Sequence, residues 1–170
     1  MDYAALTDLI ENGLPFNKLL GIRAAEVAEG RVHLFLPYRE DLVGDVRRPA
    51  LHGGVISTLA DVCAGFAVWT RCRLRDRLAT IDLRVDYLRP AGPEDLHAEA
   101  VVKLLGNRVG NATVTLWSGE SKDEPVAEGR GVYNIRRGNK KGRQTPPPRP
   151  SPDPARRHGR AAAQVTSCAA

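Results

Sequence analysis

A single carboxylate lies inside the most apolar segment of the chain, residues 51–70, which read LHGGVISTLADVCAGFAVWT. Ser57, Thr58 and Asp61 are the polar side chains between the glycine pair and Trp69, and their spacing places them on one face of a helix. That face is either simply solvated or lines a cleft. In a cleft, a partly desolvated carboxylate can act as a general base or as a nucleophile.

Gly53 and Gly54 stand where this helix would begin. The first backbone N–H groups of a helix have no partner within the helix, and the helix dipole adds positive potential there. Because glycine has no side chain, a ligand could approach these N–H groups closely. The pair therefore suits a carbonyl oxygen that gains negative charge, although a tight turn without a ligand would use the same residues.

Gly53 and Asp61 are too far apart to act on one carbonyl group within one chain. Eight residues of helix span about 12 Å at a rise of roughly 1.5 Å per residue. Two antiparallel copies of the helix would bring the start of one next to the middle of the other. A working site of this kind therefore requires at least a dimer, with two equivalent sites at its interface.

The elements that position these groups follow from hydrophobic periodicity. Helical spacing predicts a short helix over residues 4–12 that ends at Gly13 and a long helix over 53–70. Residues 38–51 read as a loop, and alternation predicts strands over 21–28, 31–37, 80–89, 95–105, 109–118 and 125–136.

Two strands carry a clear alternating pattern. Val32, Leu34 and Leu36 should share one face of the second strand, after a turn at Glu29-Gly30, and Ile81, Leu83, Val85 and Tyr87 should share one face of the third. Short turns link most strands, so the sheet should be largely antiparallel. The sequence thus predicts an α+β fold in which this sheet encloses the one long apolar helix.

Composition and charge divide the chain into two parts. The 170 residues fit one domain, and residues 138–170 hold seven Lys or Arg, one Asp and six of the twelve prolines. The other 18 basic and 19 acidic residues give residues 1–137 a net charge of −1. We therefore predict a folded domain over 1–137 and a disordered basic tail over 138–170. Nucleic acid is not an expected partner of the domain, and only the tail could contact it weakly.

The expected location is the cytoplasm. No run of about 18 uncharged apolar residues suggests a membrane span, and the acidic start MDYAALTDLIENG does not resemble a secretory signal. Cys63, Cys72 and Cys168 have no CxxC spacing, so free thiols in a reducing compartment are expected.

Two stretches, LHGGVISTLAD and TIDLRVDYLRPA, closely resemble the hotdog-fold acyl-CoA thioesterases, in the branch that includes phenylacetyl-CoA and 4-hydroxybenzoyl-CoA thioesterases. The resemblance covers roughly residues 15–136. It combines HGG, an acid nine residues after the histidine, and a strand that ends in YLRP. It implies a sheet wrapped around a central helix, assembly into dimers or tetramers, and hydrolysis of a thioester to a free acid and coenzyme A.

The resemblance also implies roles for individual residues. Asp61 matches the catalytic acid that activates water or attacks the thioester carbonyl, and Gly53 matches the glycine whose N–H polarises that carbonyl from the other subunit. His52 shapes the turn and is a less favoured candidate for a catalytic base. Thr80 matches a position that orients water in some members, and Gly54 is expected beside the substrate. No metal and no cofactor are expected, since the coenzyme A thioester is itself the substrate.

The phosphates of coenzyme A predict cationic groups at the mouth of the cleft. Arg89 in YLRPA and Arg108 in GNRVG are the candidates, and Arg47 and Arg48 form a second pair. Each could equally be a solvated surface arginine. One position departs from the family pattern, since Val46 stands where some members carry Asn or Gln.

Two other functions fit the same residues. A non-catalytic acyl-CoA-binding protein would retain the fold, although a carboxylate in an apolar cleft costs stability unless it is used. Hydration or dehydration of an acyl thioester would need a histidine beside the acid. The histidines of the predicted domain, His33, His52 and His97, stand in no recognisable hydratase motif.

Overall fold

The computed structural model describes residues 1–138, so the predicted tail lies, apart from Gly138, outside the described residues. The helices are α1 Tyr3–Asp8, α2 Pro15–Leu20 and α3 Gly53–Thr70. Helix α1 continues into a π-helical turn, Leu9–Gly13, and a 3₁₀ turn, Glu40–Leu42, precedes the third strand. The strands are β1 Arg23–Ala28, β2 Arg31–Leu36, β3 Val43–Asp45, β4 Ala50–Leu51, β5 Arg77–Tyr87, β6 Leu96–Leu105, β7 Val109–Ser118 and β8 Ala127–Arg136.

Six strands form one antiparallel sheet in the order β1-β2-β6-β7-β8-β5, and β3 and β4 pair separately. Helix α3 packs against all six strands, most extensively against β6, β7 and β2. Strand β5 is an edge of the sheet, so one side of its backbone has no neighbouring strand within the described residues. The predicted architecture, an antiparallel sheet around one long helix, is confirmed.

Burial explains why α3 is so apolar. Its residues Ile56, Leu59, Ala60, Cys63, Ala64, Phe66, Ala67 and Val68 are all buried, and the inner faces of the strands cover them. By length and composition alone this helix could cross a membrane, but half of it is buried inside the fold. Its hydrophobicity is that of a core helix. The Cys63 thiol is enclosed here, and burial raises its pKa to about 12.

Most predicted elements have the expected bounds. The long helix and the strand over 109–118 match residue for residue, and Val32, Leu34 and Leu36 are fully buried on one face of β2. Gly30, with φ +74°, makes the predicted turn between β1 and β2. Two segments differ from the prediction. Helix α2 was not expected, and residues 38–51 contain the 3₁₀ turn, β3 and β4 as well as loop.

The prediction for one face of β5 is wrong at Ile81. The pairing of β5 with β8 runs from Thr80↔Tyr133 directly to Asp82↔Val132, so Ile81 is an extra residue at a β-bulge. Its side chain is 57% exposed. The bulge shifts the alternation by one residue. Thr80 before it and Val85 after it therefore both face inward, although they are an odd number of residues apart.

A buried carboxylate ties the end of the sheet to the turn after α3. Asp76 is 1% exposed and accepts hydrogen bonds from the Arg73 N–H (3.0 Å), the Gly138 N–H (2.9 Å) and Arg137 Nη1 (2.9 Å). Burial by itself raises the pKa of a carboxyl, but these donors favour the ionised form more strongly. The pKa of Asp76 is therefore lowered, and the contact stabilises the fold where β8 ends.

We expect Asp76→Asn to lower the free energy of unfolding at pH 7 by about 2 kcal/mol, because it replaces charge-assisted hydrogen bonds with a neutral amide. Urea denaturation measures the change. Since the folded-state pKa of Asp76 is lowered, its contribution is complete above the ordinary Asp pKa of about 4. The difference between the two proteins should disappear as pH falls through the folded-state pKa.

Asp41→Asn is the matched control, since its carboxylate is 70% exposed and pairs with Arg39 at the surface. It should change stability by less than about 0.5 kcal/mol. Equal stability of parent and Asp76→Asn at pH 7 would contradict the assigned role.

Candidate active site

Asp61 lies half-buried in the middle of α3, and two hydroxyl groups hold its side chain. Thr80 Oγ1, from β5, lies 3.0 Å from Asp61 Oδ1 and 3.2 Å from Oδ2. The Tyr133 hydroxyl, from β8, donates to Asp61, with 2.9 Å to the backbone carbonyl oxygen and 3.1 Å to Oδ1. The carboxylate in the apolar helix thus has polar partners on the two strands that cover it.

The hydroxyl groups of Ser57 and Thr58, on the same face of α3, form hydrogen bonds within the helix and not with Asp61. Ser57 Oγ and Thr58 Oγ1 both donate to the Gly54 carbonyl oxygen, at 3.1 and 2.8 Å. Such bonds to the preceding turn satisfy a hydroxyl within its own helix. Of the three polar residues on this face, Asp61 alone reaches across to the sheet through its side chain.

Asp61 borders an apolar cleft of about 150 Å³. Thr80 and Tyr133 line the same cleft, and the rest of its wall is made by Leu14, Val62, Gly65, Phe66, Trp69, Leu78 and Ala79. Phe66 and Trp69 stack on each other with ring centroids 5.6 Å apart. An apolar chain could lie along this wall with its polar end at Asp61.

The start of α3 leaves one backbone donor without a partner. His52 is the N-cap residue: its Nδ1 accepts from the Gly54 N–H at 2.9 Å, and its carbonyl oxygen accepts from Val55 and Ile56. Within residues 1–138, no acceptor takes the Gly53 N–H. The expectation that both glycines offer a free N–H is therefore wrong for Gly54 and stands for Gly53.

Gly53 borders a second cleft, of about 370 Å³, which Asp61 does not line. Tyr87 and Arg89 lie in its wall, together with Leu51, Ile56, Leu88, Pro90 and Ala91. The Tyr87 hydroxyl donates to the Gly53 carbonyl oxygen at 3.0 Å and fixes the glycine against the end of β5. Within one chain, the catalytic candidates thus lie in two separate clefts, as the helix rise requires.

The arginine candidates are dispersed. Arg89 shares the Gly53 cleft, and its Nη1 donates to the Pro125 carbonyl oxygen at 2.9 Å. Arg108 lines a third cleft, of about 510 Å³, with Asn107, Asn134, Ile135, Arg136 and Arg137. Arg47 and Arg48 lie in the exposed turn between β3 and β4, next to Val46, which is 85% exposed. Within the described residues, no three His, Cys, Asp or Glu side chains group so as to hold a metal ion.

Comparison with known proteins identifies the family. Residues 49–124, which include the start of α3, Asp61 and Thr80, match the model described as thioesterase superfamily. The medium/long-chain acyl-CoA thioesterase YigI of Escherichia coli (strain K12) is 37% identical over 120 residues, which is 63% of this chain and 77% of that protein. The chain belongs to the thioesterase superfamily.

Solved structures of thioesterases share the fold. A thioesterase family protein from Silicibacter pomeroyi has 26% identity and a TM-score of 0.72, over 80% of this chain and 99% of that one. A Shewanella oneidensis protein related to the thioesterase superfamily has 28% identity and a TM-score of 0.67, over 78% and 94%. These matches confirm the predicted hotdog fold and the predicted class of thioester hydrolase.

Sequence reasoning missed the two tyrosines of this candidate site. The alternation in the last strand places Tyr133 on the same face as Ile135, facing the helix. A buried tyrosine hydroxyl needs a hydrogen-bond partner, and Asp61 is the one acid of the covered helix. An inward-facing tyrosine next to a helix with one acid could therefore have predicted the contact between Tyr133 and Asp61. Tyr87 was expected to face inward, but its bond to Gly53 depends on how the end of β5 meets α3.

His52 should act as a helix cap and not as a base, because its Nδ1 is occupied by the Gly54 N–H. We expect His52→Asn to retain thioesterase activity within about threefold, since asparagine is also a preferred N-cap residue. His52→Ala should lower the free energy of unfolding by about 1 kcal/mol. Steady-state kinetics and urea denaturation of the two variants test this, and a hundredfold loss in a well-folded His52→Asn would instead assign catalysis to the imidazole.

Proposed function

We propose that this member of the thioesterase superfamily hydrolyses acyl-CoA thioesters to a free carboxylic acid and coenzyme A. The observation that carries the proposal is the Asp61 carboxylate, held by Thr80 and Tyr133 at an apolar cleft that suits an acyl chain. The relative YigI, named as a medium/long-chain acyl-CoA thioesterase, supports the substrate class. The reaction needs no cofactor.

In the proposed reaction, the thioester carbonyl lies between Asp61 and Gly53 of the partner subunit. Asp61 takes a proton from water, whose oxygen then attacks the carbonyl carbon, or Asp61 attacks directly and water hydrolyses the resulting anhydride. The N–H of the partner subunit's Gly53 stabilises the oxyanion. When the tetrahedral intermediate collapses, the C–S bond breaks and the coenzyme A thiolate leaves and is protonated.

A homodimer formed through β5 would complete this site. Thr80, beside Asp61, and Tyr87, beside Gly53, lie near opposite ends of the same edge strand. If two β5 edges pair antiparallel about a two-fold axis close to Leu83, Thr80 lies opposite Tyr87 of the partner subunit. The free N–H of the partner subunit's Gly53 then comes to Asp61, and the two-fold generates two equivalent sites.

The nucleotide end of bound coenzyme A would extend out of the site on the Gly53 side. Arg89 is the favoured phosphate ligand, because it lines the cleft that contains Gly53. Arg108, Arg47 and Arg48 lie elsewhere and remain secondary candidates. The proposed location is the cytoplasm, with no membrane partner, and a nucleic-acid contact would involve only the tail.

The alternative functions have less support. A hydratase would place a histidine near Asp61, yet His33 and His97 lie on the face of the sheet turned away from α3. There His33 Nε2 and His97 Nδ1 are 3.2 Å apart, and both rings pack against Trp117. An acyl-CoA-binding protein without turnover is the remaining candidate, and kinetics separate it from an enzyme.

Asp61→Asn should lose turnover by about 10²- to 10⁴-fold while the fold is retained, because the amide cannot accept the proton of water or act as a nucleophile. Release of coenzyme A from short, medium, long and aromatic acyl-CoAs measures this for parent and variant side by side. Asp123→Asn, an exposed carboxylate in the connection between β7 and β8, is the control and should keep parental rates. Tight acyl-CoA binding without turnover by the parent would indicate a binding protein.

The Gly53 N–H can be removed without disturbing the helix. Gly53 is the first residue of α3, where proline is favoured, and His52 has the extended backbone (φ −64°, ψ 134°) that precedes proline. We expect Gly53→Pro to lose about 10²- to 10³-fold in kcat, as when one oxyanion donor is removed. Gly53→Ala keeps the N–H, and its Cβ would meet Tyr87 at an ordinary 3.5 Å, so it should retain most activity.

Mixing the two inactive proteins tests whether the site is shared between subunits. A heterodimer of Asp61→Asn and Gly53→Pro chains would have one site with both defects and one site with neither. After random re-association of equal amounts, specific activity should recover to about one quarter of the parental value. No recovery, despite heterodimers detected by mass spectrometry, would place both groups in the same subunit.

A further inference from the structure

We propose that Tyr133 is a positioning residue for the catalytic carboxylate: its hydroxyl fixes the Asp61 side chain to the backbone of α3 and to β8. This role requires that Asp61 is the catalytic group, as proposed above. Tyr133 lies outside the matched residues 49–124, so the family match does not include it.

The Tyr133 hydroxyl contacts two parts of the same residue. It lies 2.9 Å from the Asp61 carbonyl oxygen and 3.1 Å from Oδ1. A side-chain oxygen and a backbone oxygen of one residue can share one donor only in a narrow range of side-chain rotamers. Thr80 also donates to Oδ1, at 3.0 Å, and its contact with Oδ2 is longer, at 3.2 Å. Oδ2 is thus the oxygen left for water or substrate.

Two glycines form the slot that holds the phenol ring. A Cβ on Gly131, two residues earlier in β8, would lie 2.6 Å from Tyr133 Cε2 and closer still to the hydroxyl oxygen. A Cβ on Gly65, one helical turn after Asp61, would lie 3.2 Å from Tyr133 Cε1. Any other residue at Gly131 would therefore displace the ring. The ring lies flat along its own strand, which allows the hydroxyl to reach the helix.

The hydroxyl is a donor and not a proton acceptor in this site. Tyr133 is 2% exposed, and burial, followed by the nearby Asp61 charge, raises the pKa of its phenol well above the ordinary value. The phenol therefore keeps its proton and donates it in the hydrogen bond to Asp61 Oδ1.

Tyr133→Phe tests the role, because it removes only the hydroxyl and leaves the ring in its slot. We expect kcat to fall about ten- to a hundredfold, the usual effect of losing a hydrogen bond to a charged group, with KM changed less than about threefold. A purely structural tether would lower stability without lowering kcat of the folded enzyme.

Two comparisons make the result specific. Tyr38→Phe is the matched control, because Tyr38 is half-buried and its hydroxyl makes no hydrogen bond within the described residues, and it should leave kcat unchanged. In an Asp61→Asn background, Tyr133→Phe should have little further effect on the residual rate, because Tyr133 acts through the carboxylate. A full additional loss in that background would overturn the proposal.

Gly131→Ala gives a second, independent variant in which the hydroxyl is present but displaced. It should reproduce the loss of kcat with little change in KM. Parental kinetics in Tyr133→Phe, while Asp61→Asn is inactive, would overturn the positioning role and leave the proposed function intact. Parental activity in Asp61→Asn would instead overturn the proposed function itself.

Discussion

The structure depends on how one carboxylate is accommodated inside an apolar helix. Helix α3 is the core of the fold, and its neighbours must be apolar to bury it, yet Asp61 in its middle needs hydrogen-bond donors. The sheet supplies them from two adjacent strands, Thr80 on β5 and Tyr133 on β8. These donors are neutral hydroxyls, so within residues 1–138 the carboxylate has hydrogen-bond donors but no ion pair.

Much of the fold could be predicted because burial imposes a clear period on the sequence. The long helix and most of the strands follow from spacing alone, since α3 is enclosed and the inner faces of the strands alternate cleanly. Helix α2 was missed because six residues that include exposed Phe16 and Leu19 show no buried stripe. The bulge at Ile81 was also missed, because a locally perfect alternation hides one extra residue.

The candidate site was only partly predictable, for a different reason. Asp61 and Gly53 stand out because a lone acid and a glycine pair are unusual in an apolar helix. Their partners are ordinary strand residues whose significance comes from register, which pairs Thr80 with Tyr133 across β5 and β8. Gly54 was assigned a free N–H, but local capping by His52 uses it. Side chains that satisfy a helix end compete with any ligand for the same donors.

The bulge in β5 has a consequence for grafting and recombination between thioesterases. One strand has to turn Thr80 toward Asp61 and, further along, Val85 toward the core, and these two positions are out of phase by one residue. The extra residue at Ile81 restores the phase. A β5 segment transplanted from a protein without this insertion would present either a complete core or a complete site to the helix, but not both. In β5, the number of residues matters as much as their identity.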